Sequence, residues 1–280
     1  IEAEGTSCEN LPGTHKILKQ LRAMVDEEYP GRILLCEANQ WPDDVVEYFG
    51  DGDECQMAFH FPVMPRLYMG LRRGSRECIS EILAHTPQIP DGCQWGTFLR
   101  NHDELTLEMV TEEDRHYMWE EYAPESRWRC NLGIRRRLSP LVDNDDAKIR
   151  LLNAMLLSLP GSPVLYYGDE IGMGDDPWLP DRDGVRTPMQ WDDSETAGFS
   201  TALPEDFHLP LIRTFGHDPE HVNVARQMDD PSSLLVWTRA MLGIRRHHPV
   251  FGTGEFTDLG GPDMAVMSFL RHNEHETVLL

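Results

Sequence analysis

The stretch ILLCEAN, residues 33–39, joins four apolar residues directly to a carboxylate. A short, wholly apolar run is typical of a strand that is buried on both faces in a parallel sheet. A similar run occurs at 164–167, and residues 57–61 and 95–99 predict two more strands. The sequence therefore predicts four buried parallel strands.

Helical patterns separate these strands. Apolar residues recur at helical spacing in 14–29, where Thr14 is the predicted cap, and in 66–84 and 145–159. Alternating strands and helices favour a parallel α/β architecture, but about eight strand–helix units are needed to close a barrel. The chain starts within a loop and stops inside an apparent strand, which favours half of a barrel over an open sheet.

Composition and charge narrow the classes of partner. The 280 residues include 25 Lys and Arg against 48 Asp and Glu, a net charge of −23 that disfavours nucleic acid and anionic membrane as partners. No run approaches the roughly 20 apolar residues of a membrane span. The start of the chain does not resemble a signal peptide, and the six cysteines form no CxxC pair, so we expect reduced thiols and a cytoplasmic protein.

Polar groups that directly follow parallel strands point into the crevice at the carboxyl ends of those strands. Glu37 follows four apolar residues and lies close in sequence to Trp41. We expect this carboxyl to be desolvated, which suits a general acid. The alternative is a glutamate that only hydrogen-bonds a neighbouring loop.

A second polar group, His102-Asp103-Glu104, follows the third predicted strand. Three adjacent titratable side chains are costly to pack unless they face a polar ligand, although a solvated loop is the alternative. Glu108 shares a face with Glu104 if the chain is helical there. Two carboxylates at strand ends, with loop aromatics such as Trp41 that suit sugar rings, point to glycosidic-bond chemistry.

Four motifs carry a family resemblance. LLCEAN at 34–39 resembles the general-acid strand of the α-amylase superfamily of glycoside hydrolases, and FLRNHDE at 98–104 resembles its transition-state-stabilising strand. PVLYYGDE at 163–170 resembles the eighth barrel strand, and RDGVRTPMQW at 182–191 the loop after it. The resemblance implies a partial (β/α)8 TIM barrel, strands 5–8 with helices, in residues 1–250. Residues 251–280 would begin a C-terminal antiparallel β domain.

The resemblance also implies roles for individual residues. Glu37 would be the general acid/base, Asp103 would stabilise the oxocarbenium-like transition state, and His102 would bind a sugar hydroxyl. The superfamily is retaining, and its nucleophilic Asp follows the fourth strand, upstream of this chain, so we expect residues 1–280 alone to be inactive. Glu2 matches a position near the superfamily's structural calcium site. No cofactor is needed for the chemistry.

Three connecting segments, 5–12, 53–66 and 102–110, resemble the maltose α-D-glucosyltransferases, which interconvert maltose and trehalose and must retain the freed glucose. Asn39, Trp41, Glu104 and Glu108 are the further residues that we expect to bind substrate, and all but Trp41 to close its pocket.

Two alternatives remain. The first is an α-glucosidase-type hydrolase or another transglucosidase of the same superfamily, and the second is a non-catalytic sugar-binding remnant. An open half-barrel would also expose strand edges, which favours association into a homo-oligomer.

Overall fold

The structure, a computed structural model, describes residues 4–280. Within that range the strands are β1 (Leu35–Cys36), β2 (Met57–Phe59), β3 (Gln94–Phe98), β4 (Arg129–Cys130), β5 (Gly133–Ile134), β6 (Ser162–Val164), β7 (Glu255–Asp258), β8 (Phe269–His272) and β9 (Thr277–Leu279). The α-helices are α1 (Pro12–Glu28), α2 (Pro42–Val45), α3 (Val63–Arg73), α4 (Glu77–Ala84), α5 (Glu112–Tyr122), α6 (Leu138–Leu141), α7 (Asp146–Ser158), α8 (Val224–Met228), α9 (Leu234–His247) and α10 (Val250–Thr253).

The central element is a parallel sheet in the order β1-β2-β3-β6, with helices in the connections. Its register places Ala58 opposite both Cys36 and Trp95, and Phe98 opposite Val164. In the described part of the chain this sheet stays open. Four parallel strands with helices in their connections are the arrangement predicted for part of a barrel.

The end of the chain forms a separate antiparallel sheet, β7-β8-β9, as predicted. The short helix α10 lies across the predicted boundary between residues 250 and 251. The division into 1–250 and 251–280 stays a prediction.

The first strand departs from the sequence analysis. Ile33 and Leu35 are 56% and 46% exposed, so the prediction that this run is buried on both faces is wrong. The reason is its position: within residues 4–280, β1 pairs only with β2 and forms the edge of the sheet. An apolar run indicates that a strand favours burial, but the position of the strand in the sheet decides whether the strand is buried.

Two helices also differ from their predicted bounds. The cap of α1 is Leu11, with Pro12 in the first turn, where the missing N–H of proline costs nothing, and Thr14 lies inside the helix. The single predicted helix 66–84 is two helices, α3 and α4. They are separated because Gly74 adopts a left-handed conformation, φ 60°, that ends α3.

A large apolar cluster packs the helices against the sheet, with Met64, Tyr68, Phe98 and Leu152 almost fully buried in it. The interior also holds the side chains of three arginines, which are at most 1% exposed: Arg100, Arg137 and Arg271. None of the helices formed by residues 4–280 is long and apolar enough to cross a membrane.

Candidate active site

The sheet brings three of the predicted site residues together. Glu37 directly follows β1, and His102 and Asp103 lie in the loop after β3. One side-chain ligand atom from each of the three lies within 4.8 Å of the others. They meet because carboxyl ends of parallel strands share one edge of a sheet.

The carboxylate of Asp103 is held by two arginines that follow β6. Arg186 Nη2 donates to Asp103 Oδ1 at 2.7 Å, and Arg182 Nη1 lies 3.3 Å from the same oxygen. His102 Nε2 is 3.7 Å from it. All these contacts fall on Oδ1, so the arginines fix one oxygen of the carboxylate and thereby its orientation.

The loop that carries these arginines is tied to the end of β6. The Tyr166 hydroxyl donates to the Val185 carbonyl at 2.8 Å, and the Tyr167 hydroxyl donates to the Thr187 carbonyl at 2.7 Å. Arg186 Nε also donates to the His102 carbonyl at 2.7 Å. The loop after one strand therefore locks the loop after its neighbour.

The sequence analysis did not single out Arg182 and Arg186 as site residues. Both lie in the motif 182–191, which it treated only as a family resemblance. The available signal was two arginines four residues apart, in the long connection that follows Asp169 and Glu170. Nothing local indicated which carboxylate they contact.

Buried Arg100 fixes the backbone next to Asp103. Its Nη2 donates to the Asp103 carbonyl at 2.7 Å and its Nε donates to the Arg136 carbonyl at 2.6 Å. The Asp103 N–H in turn donates to Asn101 Oδ1 at 3.0 Å. Burial lowers the pKa of Arg100 from its ordinary value. These hydrogen bonds hold the loop through its backbone, so they do not occupy the Asp103 carboxylate.

The predicted closure residues Asn39, Glu104 and Glu108 contact one another or neighbouring loops. Asn39 Nδ2 donates to Glu108 and, at 3.3 Å, to Thr106 Oγ1. Glu104 accepts from Asn131 Nδ2 at 2.8 Å and lies 3.5 Å from Arg182. Asn39 and Glu108 thus link the loops after β1 and β3, while Glu104 shares an arginine with Asp103.

The model of the α-amylase catalytic domain matches residues 2–254. The chain belongs to the α-amylase family.

Members of this family with high similarity include the trehalose synthase of Pimelobacter sp. It is 61% identical over 96% of this chain and 49% of its own length. The trehalose synthase/amylase of Mycobacterium tuberculosis is 60% identical over the whole chain and 48% of its length. The chain thus spans about half the length of these relatives. The α-amylase from H. orenii, a solved structure, superposes with a TM-score of 0.71 at 20% identity, over 95% of this chain and 46% of that one, which shows the shared fold.

The surroundings of Glu37 and Trp41 bear on the roles predicted for these two residues. Glu37 is exposed, so the expectation of a desolvated carboxyl is wrong, because it follows an edge strand. The centroid of the Trp41 ring lies 5.5 Å from Arg66 Cζ. Trp41 lines a cleft of about 290 Å³, and none of the three clustered residues lines that cleft. Glu2 lies outside the described residues.

The clustered side chains Glu37, His102 and Asp103 are close enough to hold a metal ion. The charges around Asp103 argue against a cation, because the guanidinium groups of Arg182 and Arg186 already face its Oδ1 and repel a second positive charge. A neutral ligand rich in hydroxyl groups fits this mixture of carboxylates, guanidinium groups and an imidazole better.

Proposed function

We propose that the protein carrying this chain interconverts maltose and trehalose by retaining transfer of an α-glucosyl unit. The observation that carries the proposal is the convergence of Glu37, His102 and Asp103 at one edge of the sheet. The names of its relatives, trehalose synthases at 60–61% identity, support the choice of substrates. Maltose, trehalose and glucose are then the molecules that this site handles.

Asp103 is the proposed stabiliser of the transition state. Arg182 and Arg186 fix its Oδ1, so its second oxygen is left to accept hydrogen bonds from the sugar hydroxyls. A preoriented carboxylate beside the anomeric carbon stabilises the positive charge that develops there as the glycosidic bond breaks. His102 would bind an adjacent hydroxyl.

Glu37 is the proposed general acid and base. It protonates the leaving glycosidic oxygen, and in the second step it takes the proton of the attacking hydroxyl. The family resemblance places the nucleophile, an Asp that forms the covalent glucosyl-enzyme, upstream of residue 1. We therefore expect residues 1–280 alone not to turn over maltose.

Mutation of the two carboxylates in the complete protein tests this proposal. With maltose as substrate, the wild type should form trehalose, and Glu37→Gln and Asp103→Asn should each lower kcat by about 10²–10⁴-fold. Glu274→Gln, at an 83% exposed side chain, is the matched control and should keep full activity.

The products decide between the alternatives. Glucose alone would establish an α-glucosidase-type hydrolase, a possibility that the 28% identical probable α-glucosidase of Rhizobium meliloti keeps open. Binding of maltose without any product from the complete protein would establish a sugar-binding remnant. Either result contradicts the proposed isomerase.

Isomerisation requires the freed glucose to stay in the site while water is excluded. We assign this closure to Asn39, Glu104 and Glu108, supported by the Asn39–Glu108 contact between two loops. Asn39→Ala and Glu108→Ala should raise the ratio of glucose to trehalose, measured by chromatography after incubation with maltose. An unchanged ratio would remove them from this role.

Enzymes of the α-amylase family need no cofactor for catalysis. A structural calcium ion near Glu2, with most of its ligands upstream, stays a prediction, as does a substrate-binding role for Trp41. We also propose a cytoplasmic location, supported by the buried free thiols Cys55 and Cys93, and association into a homo-oligomer.

A further inference from the structure

Two adjacent arginines, Arg136 and Arg137, lie between β5 and α6. The side chain of Arg137 is completely buried, and its backbone N–H donates to Asp175 Oδ2 at 2.7 Å. Arg136 Nε donates to the same oxygen at 2.9 Å. One buried carboxylate therefore fixes both arginines relative to the long connection that follows β6.

The guanidinium group of Arg137 contacts three residues that follow β6. Its Nη1 donates to the Tyr167 carbonyl at 2.6 Å. Its Cζ lies 4.6 Å from the ring centroids of both Tyr166 and Tyr167, so the two rings share one cation. Asp169 Oδ1 lies 3.5 Å from the same Nη1 and supplies the opposite charge that a buried cation needs.

The two tyrosines extend these contacts to the loop that carries Arg186. The hydroxyls of Tyr166 and Tyr167 donate to the backbone carbonyls on either side of Arg186. The backbone of this arginine is therefore held on both sides, while its side chain donates to the carboxylate of Asp103. One route thus runs from the Arg137 guanidinium to the Asp103 side chain.

A second route runs from the neighbouring residue to the backbone of Asp103. The Arg136 carbonyl accepts from Arg100 Nε, and Arg100 Nη2 donates to the Asp103 carbonyl. The segment 136–137 is therefore connected both to the backbone and to the carboxylate of Asp103. It makes these connections through buried hydrogen bonds that leave little freedom to the intervening side chains.

We propose that Arg137 is a positioning residue for the glucosyl-transfer reaction. It holds Tyr166 and Tyr167, whose hydroxyls keep the loop of Arg186 in place. That loop holds the carboxylate of Asp103 in one orientation, and a preoriented carboxylate stabilises the transition state without having to reorganise. This role rests on the proposed function. An arginine with a purely structural role would affect stability and leave the kinetics of the folded protein unchanged.

Removal of the two tyrosine hydroxyls in the complete protein tests this role. The double variant Tyr166→Phe/Tyr167→Phe keeps both rings against Arg137 and removes only the hydrogen bonds to the loop. The kcat for consumption of maltose should fall about tenfold while KM changes less than about twofold, because the oriented carboxylate acts in the transition state. Tyr122→Phe in α5 is the matched control and should keep the wild-type kcat, since its buried hydroxyl also donates to a backbone carbonyl, that of Tyr68, at 2.8 Å.

A double-mutant cycle shows whether the tyrosines act through Arg186. In the Arg186→Met background, loss of both hydroxyls should lower kcat less than about twofold, because the contact that they support is already gone. Arg137→Lys keeps a positive charge but lacks the planar group that contacts both rings, and should lower kcat about tenfold. If this buried substitution prevents folding, the tyrosine variants decide by themselves.

Two results overturn the positioning role: a wild-type kcat in the double phenylalanine variant, or a loss of kcat that is equally large with and without Arg186. Failure of the proposed function gives a different result. A wild type that releases only glucose from maltose is not an isomerase, yet its consumption of maltose still tests the role of Arg137. A complete protein that leaves maltose unchanged overturns both proposals.

Discussion

Replacing Arg186 by methionine tests whether the loop after β6 orients the catalytic carboxylate. Arg186 makes two hydrogen bonds of 2.7 Å, one to Asp103 Oδ1 and one to the His102 carbonyl. Methionine keeps much of the length of the side chain and removes both bonds. Arg182 still contacts Asp103, so the carboxylate keeps a partner and the fold is expected to survive.

The expected magnitude follows from these contacts. Hydrogen bonds to charged groups contribute about 1.5–3 kcal/mol, and Arg186 is 32% exposed, so we take a value of about 2 kcal/mol for the pair. If the two hydrogen bonds of Arg186 stabilise the transition state by that amount, their loss lowers kcat/KM about 30-fold. Arg186→Lys keeps the charge but cannot reach both acceptors, and should lose about fivefold.

The assay is trehalose formation from maltose by the complete protein, with kcat and KM determined separately. Because Arg186 acts by positioning Asp103, we expect most of the loss in kcat and a smaller change in KM. Arg246→Met, at an exposed arginine of α9, is the control. Arg186 does not position Asp103 if Arg186→Met keeps more than half of the wild-type kcat/KM, or if only KM changes.

Two further predictions concern stability. Burial lowers the pKa of His60 from 6.5 to about 4, so the unfolded state binds more protons between these values and stability falls as the pH decreases. Between pH 7 and pH 5, the free energy of unfolding measured with urea should fall by about 2 kcal/mol. His60→Gln should not show this loss, whereas His275→Gln, at an exposed histidine, should retain it. Gly74→Ala should cost about 1 kcal/mol, since φ is 60° there, whereas Gly243→Ala inside α9 should stabilise by about 1 kcal/mol; equal melting temperatures for the two variants would contradict this.

Local pattern predicted most of the fold. The four predicted strands overlap the four parallel strands, although β6 shares only Val164 with its predicted range 164–167, and the alternating end of the chain became the antiparallel sheet. The errors occurred where local pattern is ambiguous. Gly74 divided one predicted helix into two, and the edge position of β1 left Leu35 exposed although its neighbours are apolar. Hydrophobicity indicates which residues favour burial, but not how many neighbouring strands will cover them.

The candidate site shows the same limit. Glu37, His102 and Asp103 could be selected because each follows a predicted strand, and their convergence is a general consequence of parallel pairing. Their proposed roles come from the family resemblance and stay predictions. Asn39 and Glu108 were both predicted as site residues because each follows a strand. Their contact with each other is seen only in the structure, because their spacing in the sequence does not indicate it.

The order of strands and helices, and the carboxylates that follow the strands, can be read from the sequence because periodicity and strand ends are local properties of the chain. The contacts of Arg182 and Arg186 with Asp103 depend instead on the tertiary structure. These partners are far apart in sequence, and a charged side chain carries no local signal of its partner. The choice is made by the packing of whole strands and loops, which sets distances that no short segment contains.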